Sequence, residues 1–147
     1  NFETVPPIAD AAKETKLVAQ QAQAALERVD RTLDLDEAVL EALVTAFRDL
    51  RSGRTVEGWA VERPGAVMST AEAVAVATSM GHHMTWFQAE RDPVSLIPGH
   101  ILGVVLKDDP KDRARLLSYW DSAVKRRADE GARMWKRLLE LRPELEG

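Results

Sequence analysis

The sequence predicts a mainly α-helical bundle with one short β-hairpin and an N-terminal strand that has no sheet of its own. Three observations carry that expectation. Apolar residues recur at spacings of three and four through most of the chain, and glycine, proline and β-branched residues concentrate between Ser52 and Met68. Third, Phe2-Glu3-Thr4-Val5-Pro6-Pro7-Ile8 reads as extended, with nothing nearby to pair with. A lone strand leaves its backbone groups unsatisfied, so this one is expected either to pair with strands outside the chain or to be disordered. The chain begins at Asn1 without an initiator methionine, and the two features together suggest part of a larger α/β unit.

The elements follow in order. Asp10 is placed to cap a helix from about Ala12 to Arg28, with Val18, Ala22, Ala25, Leu26 and Val29 along one stripe. A second helix runs from about Asp36 to Leu50 on Leu40, Leu43, Phe47 and Leu50. Val39, Val44 and Ala46 widen its stripe until little is polar, the mark of a helix central to its bundle. Trp59 to Val61 and Ala66 to Met68 then read as the arms of a hairpin around Pro64-Gly65. Ser69-Thr70-Ala71-Glu72 is a capping box that opens a helix to about Phe87, whose small residues allow a neighbour to approach closely. Arg91-Asp92-Pro93 breaks that helix, and a shorter one covers about Leu96 to Leu106. Lys107-Asp108-Asp109-Pro110 is a stop followed by a start. From Lys111 to Leu141 the stripe Leu117, Trp120, Val124, Ala128, Trp135, Leu138 is interrupted by Gly131 alone. Unbroken, that helix is about 45 Å long and projects beyond the bundle.

Composition removes several function classes. At 147 residues and 16.3 kDa the chain is one domain's worth, with 45% hydrophobic and 30% charged residues, the balance of a globular protein. A net charge of −4 and a pI near 5.4 provide no global positive field for nucleic acid or an anionic membrane. No cysteine is present, so disulfides, thiolate zinc sites and a cysteine nucleophile are excluded. No apolar run reaches the roughly 20 residues a bilayer crossing needs.

No catalytic signature emerges from the motifs. Phosphate-loop, dinucleotide and zinc-protease patterns are missing. His82 and His83 point about 100° apart on a helix, which disfavours a shared metal even with His100 nearby. Trp59, Trp86, Trp120 and Trp135 read as core anchors. Lys125-Arg126-Arg127, interleaved with Asp121, Asp129 and Glu130, reads as a solvated helix face with local ion pairs. Arg48, Arg51 and Arg54, at spacing three, either complement a helix C-terminal dipole or bind an anion. The amides at Ser69 to Ala71 form a helix N-terminus, which Glu72 is placed to cap.

One ordered series is more specific. Leu50-Arg51-Ser52-Gly53-Arg54-Thr55, the hairpin, Met68-Ser69-Thr70-Ala71-Glu72-Ala73, Gly103-Val104-Val105-Leu106-Lys107-Asp108, then Asp112-Arg113 into a long Trp-containing helix follow one another along the chain. The series resembles the C-terminal region of MoxR-like AAA+ ATPases, in a bacterial subgroup associated with partners bearing von Willebrand factor A domains. That resemblance implies that residues 1–30 are the edge of an AAA+ α/β core, its last strand plus a connecting helix. It makes residues 31–147 a helical lid, with a hairpin at about 53–68 and a long helix at about 110–141. It further implies a parent that couples ATP and Mg2+ to remodelling or activation of partner proteins as a hexameric ring, in the cytoplasm. The chain lacks Walker A and Walker B motifs, so alone it is expected not to be catalytic. MoxR-type lids carry a sensor arginine where this sequence has Ser69-Thr70-Ala71-Glu72. The nucleotide-proximal candidates are therefore Arg54, then Arg51 or Arg63, with Ser69 and Thr70 at the helix start. A stand-alone helical protein–protein interaction module is the alternative reading, and a ligand or metal bundle using His82 or His83 with His100 is a third.

Overall fold

The structure, a computed structural model, describes residues 11–31, 33, 35–66, 68–86, 93–105 and 111–146. The expected strand at Phe2–Ile8, the Asp10 cap, the Arg91-Asp92 break and the Lys107–Pro110 stop and start lie outside these residues. The described chain is a helical bundle, and the mainly α class expected from periodicity holds.

Helix α1 (Ala11–Glu27) buries Val18, Ala22 and Leu26 completely. It ends where Arg31 N–H reaches the Leu26 carbonyl and Asp30 N–H the Glu27 carbonyl, a Schellman arrangement with Asp30 at φ 57°. Helix α2 (Glu37–Ser52) buries residues on nearly every side, from Val39 to Leu50, and contacts α1, α3 and the C-terminal helices. It closes on Gly53, whose φ of 78° lets its N–H reach the Asp49 carbonyl at 2.9 Å. Helix α3 (Thr70–Trp86) starts as the sequence expects, with Glu72 N–H donating to Ser69 Oγ at 3.1 Å. Fully buried Ala73 and Ala77 on α3 and Ala22 on α1 keep side chains short in this part of the bundle, where α1 and α3 make their extensive contact.

A 3-10 turn (Pro93–Leu96) leads into α4 (Ile97–Val105), whose Ile97, Ile101 and Val105 complete the core. Helix α5 (Asp112–Tyr119) continues through a π-helical turn (Trp120–Val124) into α6 (Lys125–Asp129). There the expected long helix stops. Gly131 adopts φ 98°, Ala132 N–H bonds the Arg127 carbonyl and Gly131 N–H the Ala128 carbonyl, a second Schellman cap. Helix α7 (Arg133–Glu140) then folds back, and Trp120 Nε1 donates to the Leu138 carbonyl at 2.8 Å. The reason is burial. Continuing through Gly131 costs about 1 kcal/mol, whereas folding back buries Leu138, Leu141 and Leu145, each worth about 1.5–3 kcal/mol.

The window read as a hairpin also differs in detail. The antiparallel pairing joins Arg54 to Ala60, and the turn lies at Thr55–Gly58 instead of at Pro64-Gly65. Thr55 N–H donates to the Trp59 carbonyl at 2.9 Å, and buried Thr55 Oγ1 accepts from Trp59 N–H at 3.0 Å. Pro64 has no N–H to give a ladder, and the Gly65 amide is taken by buried Asp112 Oδ2 at 2.9 Å, which ties this loop to α5.

Candidate functional site

The last two turns of α2 carry charges on opposite sides. Arg48 and Arg51, three residues apart, face α1, while Asp49 faces α5 and α6. Both arginines converge on one carboxylate. Glu14 of α1 has no solvent exposure and receives Arg48 Nη1 at 2.8 Å, Arg51 Nη2 at 2.7 Å and the Thr70 hydroxyl at 2.9 Å. Arg51 Nε spans further to the Met68 carbonyl at 2.7 Å. The anion these two arginines bind is therefore part of the same chain. Burial pushes the Glu14 carboxyl up, but the hydrogen bonds from Arg51, Thr70 and Arg48 outweigh it and hold the group below its ordinary range. One carboxylate thus pins α1, α2 and the start of α3 to one another.

On the other side of α2, Arg127 of α6 is 6% exposed along its side chain. Its guanidinium grips Glu57 with both edges of the fork, Nε to Oε2 at 2.9 Å and Nη2 to Oε1 at 2.8 Å. Nη1 reaches Asp49 Oδ2 at 2.8 Å, and the same oxygen accepts the Tyr119 hydroxyl at 2.7 Å. The cation stands 4.5 Å from the ring centre of Trp135 and 6.0 Å from that of Trp59. Burial raises the Asp49 carboxyl despite Arg127, and Glu57 is pulled down to about 2, first by its hydrogen bonds to Arg127. Burial likewise lifts the Tyr119 phenol well above its usual value. The reading of Lys125-Arg126-Arg127 as a solvated face holds for Lys125, whose ammonium pairs with exposed Asp129 at 3.4 Å. It fails for Arg127.

The sequence-named candidates separate. Arg51 and Thr70 meet at Glu14, and Ser69 caps α3 beside them. Arg54 sits apart on the turn between these clusters, exposed, with Nη1 reaching the Gly58 carbonyl at 3.3 Å. Exposed Arg63 lays its aliphatic stem over Gly53. Trp120 is a core anchor with no exposure, whereas Trp59 and Trp135 are half-buried and flank Arg127. The Trp86 side chain lies outside the described residues. His100 contacts Ser79 Oγ at 3.1 Å and the Leu96 carbonyl at 2.8 Å, and the His83 side chain is likewise not described. Among the described residues no group of three or more His, Asp or Glu is disposed to hold a metal ion.

Sequence reasoning missed Glu14, Asp49, Glu57, Tyr119 and Arg127. Three of them carried a signal, Asp49 because its helix has almost no polar side. Glu14 lies four residues before Val18, and Arg127 seven after Trp120 and three after Val124, so each falls within an apolar stripe.

The chain matches, over residues 12–146, the family described as the YehL-like AAA+ ATPase C-terminal domain. It is 41% identical over 126 residues to the uncharacterized protein YehL of Escherichia coli strain K12, covering 84% of this chain and 34% of that protein. The chain thus spans about a third of the length of this relative. No solved structure matches it. With a match that takes in α1 through α7, both clusters and the turn between them, the chain belongs to the YehL-like AAA+ ATPase C-terminal domain family.

Proposed function

We propose that this domain is the lid of a MoxR-like AAA+ ATPase, of the subgroup that works with von Willebrand factor A domain partners. The intact protein would bind ATP and Mg2+ as a hexameric ring and use hydrolysis to remodel or activate a partner protein. The ordered motif series from Leu50 to Arg113 supports the subgroup, and the family match supports the AAA+ assignment. ATP supplies the phosphoryl chemistry, and this chain supplies positioning and charge.

The observation that carries the reading is the placement of Arg54. Three of the five nucleotide-proximal candidates are engaged by side-chain contacts within the domain, Arg51 and Thr70 with Glu14 and Ser69 with the α3 amide, and Arg63 lays its stem over Gly53. Arg54 projects an exposed guanidinium from a turn rooted between two charged clasps, and its acceptor is a backbone carbonyl. A planar guanidinium fits phosphate oxygens in pairs. In the intact protein, Arg54→Ala should lower kcat/KM for ATP about tenfold or more, since a charge-assisted contact is worth about 1.5–3 kcal/mol. Arg54→Lys should recover part of the loss. Unchanged kinetics would remove Arg54 from the reading, and an intact protein without ATP turnover would remove the reading itself.

A further inference from the structure

The turn that carries Arg54 is not free to move by itself. From its far end, Glu57 is held by the Arg127 fork at 2.8 and 2.9 Å, and from its near end Gly53 is bonded to Asp49, whose side chain Arg127 also holds at 2.8 Å. Arg54 in turn rests on the carbonyl of Gly58, the residue after Glu57. A path therefore runs from α6 through the Arg127–Glu57 fork, along the peptide bond to Gly58, and by its carbonyl to the Arg54 guanidinium. Around it the packing is open: a cleft of about 480 Å3 lies between Val56 and Glu57 of the turn and Gly131, Ala132 and Trp135 at the corner of the C-terminal helical hairpin.

From this geometry we infer that Arg127 is the positioning residue for Arg54, and that the α6–α7 hairpin sets the response of the nucleotide-facing turn through the Arg127–Glu57 fork. The inference rests on the proposed role of Arg54. A fork of two parallel hydrogen bonds fixes direction as well as distance, so a displacement of the α6–α7 corner is passed to the turn and not absorbed by side-chain rotation. The site's burial keeps that fork from being replaced by water on the Arg127 side, where the side chain is 6% exposed.

A double-mutant cycle in the intact protein tests it. Glu57→Gln keeps the size of the side chain and loses the charge that orients the fork, and it should lower kcat for ATP by about threefold or more. In an Arg54→Ala background the same change should leave kcat within about 1.5-fold, because the residue it positions is gone. Thermal melting of all four proteins separates folding from function. Equal losses in both backgrounds would show that Glu57 acts structurally and would overturn the inference. No loss from Glu57→Gln beside a clear loss from Arg54→Ala would also overturn it, while leaving the role of Arg54 intact. No loss from Arg54→Ala would remove the role of Arg54 on which the inference stands, and the inference with it.

Discussion

Replacing Arg127 by methionine removes a cation and keeps most of the volume, while Asp49 and Tyr119 stay buried. The Arg127 and Asp49 side chains are 6% and 5% exposed. Breaking one partner of such a pair costs about 3–5 kcal/mol, chiefly because the remaining charge is stranded away from water. Two features place the expected loss at the lower end. Glu57 is 31% exposed and regains water, and the Tyr119 hydroxyl still donates to Asp49 at 2.7 Å. A loss of about 3 kcal/mol lowers the melting temperature by about 6–12 °C for a domain of this size.

The loss also has a sign with pH. Burial already raises the Asp49 carboxyl above its ordinary value of 3.8, and without Arg127 it rises further. A group raised in the folded state stabilises it when protonated, a contribution fully present below the unfolded pKa and lost as pH rises through the folded one. The Arg127→Met penalty should therefore be smaller near pH 4 than at pH 7. Urea unfolding of wild type, Arg127→Met and Arg127→Met/Asp49→Asn at both pH values reads this directly, and the double variant should recover part of the loss at pH 7. A penalty below about 1 kcal/mol at pH 7, or one equal at the two pH values, refutes the reasoning.

Glu14→Ala should cost about 2–3 kcal/mol in urea unfolding, and Glu14→Gln less, since Arg48 and Arg51 are 25% and 35% exposed and partly rehydrate. Wild-type stability in Glu14→Ala would contradict a three-helix junction. Glu57, drawn from 4.5 to about 2, contributes stability above about pH 4.5 that is lost as pH falls through about 2. The melting-temperature gap between wild type and Glu57→Gln should close across that window, and a constant gap would count against the Arg127 fork.

The regular helices were legible in the sequence because each buries one stripe. The starts and ends of α1, α2 and α3 fall within one or two residues of the positions read from periodicity and capping. The Ser69 cap was legible for the same local reason. What escaped was decided by contacts distant in sequence. The Gly65 amide goes to Asp112, 47 residues on, which moves the turn from Pro64-Gly65 to Thr55–Gly58. Gly131 alone interrupts the C-terminal stripe, but its choice of cap over continuation depends on the Leu138 carbonyl meeting Trp120. The charge run at Lys125-Arg126-Arg127 suggests solvent, yet Arg127 is buried. Its position on the apolar stripe, and a helix α2 with almost no polar side to spare for Asp49, were the clues to a buried pair. Of the candidate site, the arginine series was visible, but that Glu14 occupies two of its members was not, since 34 and 37 residues separate them.

A lid that answers nucleotide through the Arg54 turn must show it in the turn's own hydrogen bonds. Amide hydrogen exchange on the intact protein, with and without a non-hydrolysable ATP analogue and Mg2+, reads the Thr55 N–H bond to Trp59 and the Val61 N–H bond to Gly53, both 2.9 Å long. Bound analogue should slow exchange at these two amides by about tenfold or more, with Arg54→Ala abolishing the change. Identical exchange with and without analogue, in a protein shown to bind it, would contradict a nucleotide-sensing role for this turn.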